Sequence, residues 1–188
     1  MTTVTTPTAH NGIALEHMVE VRNHITEEPS LARFQFRARS QWVAGARSRT
    51  TFDTFTGAGG EHSHRKTFTY EADHPELFQQ SDEAITPPEF VLHALASCLT
   101  AGIASVAAAR GIRLEEATAT LEGDTDLQGI LGLGGGARNG YSQVRVRFSV
   151  KGDAPSEELR KVVERSVQRS AVFDIISNPT DVVVSVDA

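Results

Sequence analysis

Within its 188 residues the chain has a single cysteine, Cys98, so no disulfide can close inside it and no paired-cysteine metal or redox motif exists. Positive charge is sparse and scattered: 18 Lys and Arg stand against 24 Asp and Glu, for a formal net charge of −6 and a pI of about 5.6. With no basic run carrying interleaved aromatics, a nucleic-acid footprint is excluded. No opening segment combines a basic start, an apolar centre and a small-residue cleavage site, so a cytoplasmic location is expected. Long apolar runs are also scarce, the exception being Pro88 to Arg110, which has nearly the length of a membrane span. It carries Glu89 and His93, is built on Ala rather than Leu and lacks a basic flank, so the expectation is a buried helix with no membrane partner.

What is present reads as helices packed on antiparallel sheet. Residues 1–12 are Thr-rich without an apolar period and read as a disordered leader, with a single domain over 13–188. Ile13 to Glu27 sets Leu15, Met18, Val19 and Arg22 at helical spacing and stops before Pro29. From Leu31 the period becomes two, with Ala32, Phe34, Phe36 and Ala38 alternating against Arg33, Gln35, Arg37 and Arg39, which predicts a half-buried strand towards Trp42. Arg49 to Phe55 and Arg65 to Ala72, separated by Gly57-Ala-Gly-Gly60, extend it into a meander. Thr86-Pro-Pro-Glu89 is a capping box with proline at the first helical position, so a helix starts there and runs to Gly111, a C-terminal cap. Ala117 to Glu122 and Tyr141 to Lys151 alternate as strands about a Gly-rich connection. Ser156 to Ser170 places Leu159, Val162, Val163 and Val167 on one helical stripe, and Val182 to Val186 closes as a β-branched strand. The order predicts an α+β fold.

Cys98 is the one candidate nucleophile of its type, but a thiol in an apolar helix without cationic neighbours keeps a high pKa and stays inert. It lies about three turns past its helix start, beyond the first turn where helix-end charge stabilises a thiolate, so a partner must come from elsewhere. Glu89 and His93 sit at rotations of about 180° and 140° from Cys98 on an ideal helix, and Glu89 already has a capping role. His62 and His64 would share one face of a strand and could share a metal, yet no third strong ligand is visible, the glycines around them suggest a solvated loop, and no metal is expected. Gly132-Leu-Gly-Gly-Gly136 lacks the Lys-Ser/Thr of a phosphate loop, and no G-x-S-x-G elbow presents a serine for a triad with Asp174.

Pro87-Pro-Glu-Phe-Val-Leu-His-Ala-Leu-Ala-Ser-Cys98-Leu-Thr, Arg110-Gly-Ile-Arg-Leu, Glu122-Gly-Asp-Thr-Asp-Leu-Gln-Gly129, Arg169-Ser-Ala-Val-Phe-Asp and Asn178-Pro-Thr together resemble the OsmC/Ohr superfamily of osmotically induced and organic hydroperoxide resistance proteins. The resemblance covers about residues 30 to 187 and implies an intertwined homodimer, with curved antiparallel sheets packed around two long central helices. In the peroxidase branches a central-helix thiolate attacks the peroxide, a second cysteine resolves the sulfenic acid, and an Arg with a Glu activates the first thiol. Cys98 matches the peroxidatic position. The resolving position falls on Ser170, and the Glu position falls on Pro88, with Glu89 one step out of phase. Arg47 is the nearest match for the activating Arg and Arg49 the second.

The resemblance therefore implies a one-cysteine, thiol-dependent peroxidase that reduces organic hydroperoxides through Cys98, needs no cofactor and draws on an external thiol reductant. The alternative is a non-catalytic protein that binds a small apolar ligand in the same dimer-interface pocket, Cys98 persisting as packing.

Overall fold

The computed structural model describes residues 9–187. The described residues form two compact units, 14–90 and 9–13 with 91–187. Most of the 1–12 leader lies outside the described residues. Within them, β1 (Ala9–His10) pairs with β2 (Ile13–Ala14) across Asn11 and Gly12, both at positive φ, as an Asn-Gly hairpin requires. The Asn11 side chain then acts as a substitute peptide: its Nδ2 donates to Ile112 O and its Oδ1 accepts from Leu114 N, each at 2.9 Å.

In the first unit, α1 (Leu15–Glu27) carries the predicted amphipathic stripe, although none of its residues is buried. The uninterrupted strand expected from Leu31 to Trp42 is corrected. Pro29 opens a 3₁₀ turn over Pro29–Ala32, a position its fixed φ favours, and the remainder splits into β3 (Gln35–Phe36) and β4 (Arg39–Ala44). Both pair antiparallel with β5 (Arg47–Gly57), whose other edge takes β6 (Gly60–Ala72), completing the predicted meander. The loop expected around His62 and His64 is also corrected, because both lie on β6. They pack on Phe55 with ring centroids 5.4 and 5.2 Å apart, and His62 Nε2 lies 2.8 Å from Gly57 O. Among the described residues no group of three or more His, Cys, Asp or Glu is placed to hold a metal ion.

α2 (Pro87–Ala109) starts where the capping box sets it: Thr86 N donates to Glu89 Oε2 at 2.8 Å and Glu89 N to Thr86 Oγ1 at 3.4 Å. It ends in a Schellman motif, with Ile112 N bonded to Ala107 O, Gly111 N to Ala108 O, and Gly111 at φ +69, a conformation that glycine adopts without a Cβ clash. By length and composition this helix could cross a membrane. Its Leu95, Leu99, Ile103, Ala107 and Ala108 are buried in the protein, but only 22% of its apolar stretch is, so the buried helix expected from the sequence is realised along one stripe alone.

The second unit continues with β7 (Leu114–Asp124), the short α3 (Leu127–Ile130), β8 (Gln143–Gly152), α4 (Ser156–Arg169) and α5 (Ala171–Ser177). β7 and β8 form one antiparallel ladder from Leu114↔Gly152 to Asp124↔Gln143. Ile103, Ala107, Ile112 and Val162 form its core, flanked by Phe148, Val150, Leu159 and Val163. Burying each large side chain there contributes about 1.5–3 kcal/mol.

Two expectations fail near the C-terminus. Helix 156–170 stops at Arg169, because Ser170 takes extended φ/ψ of −78 and 116 and starts α5 by accepting from Phe173 N at 3.1 Å; an N-cap requires this backbone. The strand expected at Val182–Val186 is absent, and Val182, Val183, Val184 and Val186 are 81% to 93% exposed. A β-branched run becomes a strand only where a neighbouring edge pairs its backbone and buries one face, and no described strand does so.

Candidate functional site

Cys98 sits half-buried on α2 in the second unit. Two contacts between α2 and α4 place it. Ser166 Oγ, on α4, donates to Leu99 O at 2.7 Å, and one turn further on Ser170 Oγ lies 3.1 Å from Cys98 Sγ. The helices thus pass in opposite senses, Ser166 beside Leu99 and Gly102, and Ser170 beside Cys98. Gly102 permits this approach, since a Cβ there would stand 2.3 Å from Ser166 Oγ and 3.2 Å from its Cβ.

The break at Ser170 gives the thiol its surroundings. Ser170 is 6% exposed and accepts from Phe173 N, so its hydroxyl proton is free to point at sulfur. The backbone amides of Val172 and Ala171, in the first turn of α5, lie near enough to the sulfur to favour its charged form. Burial pushes the thiol pKa up. Ser170, Val172 and Ala171 together outweigh it, so the thiol lies below its ordinary value. Hydrogen bonds to the charged form produce such a shift, and helix-start amides are a recurrent setting for thiolates. Sequence reasoning sought an arginine for this task and noted that the start of α2 is too distant. It missed that a different helix begins beside the thiol; the available signal was Ser170 followed by the apolar Val172 and Phe173.

Arg47, the arginine favoured by resemblance, belongs to the first unit, at the start of β5. Its Nε donates to Glu71 Oε2 at 2.7 Å, and its guanidinium also pairs with Glu83. Arg49 Nε reaches the other Glu71 oxygen at 2.7 Å. The hydrogen bond from Arg47, followed by that from Arg49, holds the Glu71 carboxyl below the usual carboxylate range. Glu71 and Glu83 are therefore the carboxylate partners of Arg47, and sequence reasoning missed both. Arg49 stands opposite Glu71 only once the β5–β6 register is known.

Beneath this network Asp73 is 1% exposed, with Oδ2 accepting from Ser81 Oγ at 2.7 Å and Glu83 N at 3.2 Å. Glu89 is occupied by its cap: the Thr86 backbone, then the Thr86 hydroxyl, lowers its pKa. His93 is exposed on α2.

Among curated proteins none matches the chain. Solved structures share its fold at low identity. An OsmC-like protein from Mycoplasma pneumoniae superposes with a TM-score of 0.59 at 12% identity, over 77% of this chain and 89% of that one. An OsmC-like protein of unknown function from Vibrio cholerae gives 0.54 at 16%, over 78% and 95%. An organic hydroperoxide resistance protein OsmC from Legionella pneumophila gives 0.53 at 15%, over 76% and 88%. These likenesses support the α+β fold. Residues 80–185, which include Cys98, Ser170 and the helices α2 to α5, match the sequence profile of the OsmC-like proteins, and with this match over more than half its length the chain belongs to the OsmC-like family.

Proposed function

We propose that the protein is a one-cysteine, thiol-dependent reductase of organic hydroperoxides with Cys98 as its nucleophile. The observation that carries this reading is the Ser170 hydroxyl set 3.1 Å from the Cys98 sulfur, a contact that favours the thiolate and lowers the thiol pKa below its ordinary value. The thiolate is the reactive form. It attacks a peroxide oxygen, forming an S–O bond as the O–O bond breaks. Sulfur is oxidised by two electrons to the sulfenic acid, and the leaving alkoxide takes a proton from solvent and departs as the alcohol. An external dithiol completes the cycle. Its first thiol displaces water from the sulfenic sulfur to give a mixed disulfide, and its second displaces the Cys98 thiolate and leaves as a closed disulfide.

No cofactor enters this cycle, and a reducing cytoplasm is its natural setting. Arg47 is carried into the proposal as the activating guanidinium. The protein acts as a homodimer, a reading supported by the exposed aromatic surface at Phe36, Trp42 and Tyr70 and by the exposed C-terminal valines, a load of apolar surface that ordinarily marks an interface. Sedimentation is expected to give a dimer, and a stable monomer would count against the assembly.

Purified protein with a dithiol is expected to consume an alkyl hydroperoxide, and Cys98→Ser to lower that rate on the order of a thousandfold, to background. Arg47→Met should cost about tenfold or more in the same assay if its charge assists the thiolate. Equal rates for Cys98→Ser and the unaltered protein would sink the peroxidase and leave a non-catalytic ligand-binding role.

A further inference from the structure

We propose that the Ser170 hydroxyl is a catalytic residue of this centre, a fixed hydrogen-bond donor to the Cys98 sulfur. This rests on Cys98 being the nucleophile and assigns a function to a position where the resemblance shows only the loss of a resolving thiol. A hydroxyl has one proton, and its direction follows from what its lone pairs accept. Here Phe173 N donates to Ser170 Oγ at 3.1 Å, leaving the proton for the Cys98 sulfur, also at 3.1 Å.

The donor is held from both sides. Ser170 N donates to Val167 O in the last turn of α4, and Ser170 O accepts from Asp174 N in α5. Its side chain is almost sealed from solvent, so water competes little for the bond. A neutral thiol is a poor acceptor and a thiolate a strong one, so the hydrogen bond strengthens as the proton leaves sulfur. The same donor can serve the sulfenate oxygen after oxidation. A second serine one turn earlier, Ser166, spends its proton on Leu99 O, so two serines of one helix edge bind the same stretch of α2, one structurally and one at the reacting atom.

The test is the pH profile of Cys98 alkylation by iodoacetamide in the full-length protein, read beside the rate of hydroperoxide consumption. Ser170→Gly retains most of the helix-capping preference while removing the hydroxyl, and Ser170→Ala removes both. Both variants are expected to move the alkylation midpoint upward and to slow alkylation below it by about tenfold, the scale of one hydrogen bond to a charged group. Ser170→Thr, which retains a hydroxyl, should restore the original profile. An unchanged midpoint in Ser170→Gly would overturn the inference, as would a Thr variant displaced as far as the Ala variant. Either result would leave Cys98 as nucleophile untouched, because that assignment stands or falls with Cys98→Ser.

Discussion

Ser170→Cys is expected to close an internal disulfide with Cys98 after one turnover with an alkyl hydroperoxide. The two side-chain atoms stand 3.1 Å apart in the native protein, and a disulfide needs about 2.05 Å, a difference that rotation of two short side chains can supply. The sulfenic acid formed on Cys98 would condense with the introduced thiol and expel water. Thiol titration should find two free thiols before peroxide and none after it, with a mass lower by two hydrogens. The bridge would join residues 72 positions apart, and closing so long a loop can stabilise the fold by up to about 4 kcal/mol. A variant in which Cys98 is oxidised to the sulfenic acid while the introduced thiol stays free would refute the juxtaposition of residues 98 and 170.

Gly102→Val is expected to be strongly destabilising to the second unit. The first added carbon would already collide with the Ser166 side chain, and Ser166 Cα lies 3.5 Å away, so a change of serine rotamer cannot absorb a branched residue. The cost is about 3 kcal/mol, near the upper range for overpacking a helix contact. Gly102→Ala should cost less, because replacing glycine in a helix returns about 1 kcal/mol of propensity. Urea unfolding should rank the proteins native, Ala, Val. A Val variant as stable as the native protein would show that α2 and α4 do not approach closely at this point.

Much of the architecture was legible because its signals are local. Thr86 and Glu89 announce the start of α2 within four residues, and Gly111 announces its end, so both boundaries could be read before any packing was known. The Asn11-Gly12 turn was equally local and was overlooked inside a Thr-rich opening. Errors gathered where pairing decides the outcome. Val182–Val186 has a strand's composition without a partner edge, and Leu31–Ala32 follow the turn opened by Pro29 rather than their alternation. The site divided in the same way. Cys98 stood out in the sequence, whereas its donors come from a helix whose beginning was hidden because Ser170 was read as the end of α4. Glu71, likewise, becomes a partner of Arg47 and Arg49 only through the register of a long hairpin.

The oxygen at position 170 also has an electrochemical consequence. With one cysteine in these 188 residues, Cys98 has no dithiol–disulfide couple within the chain, and therefore no intramolecular disulfide reduction potential. Any disulfide potential it displays belongs to a mixed couple with a second molecule, so the identity and concentration of the surrounding thiols set the poise of that couple.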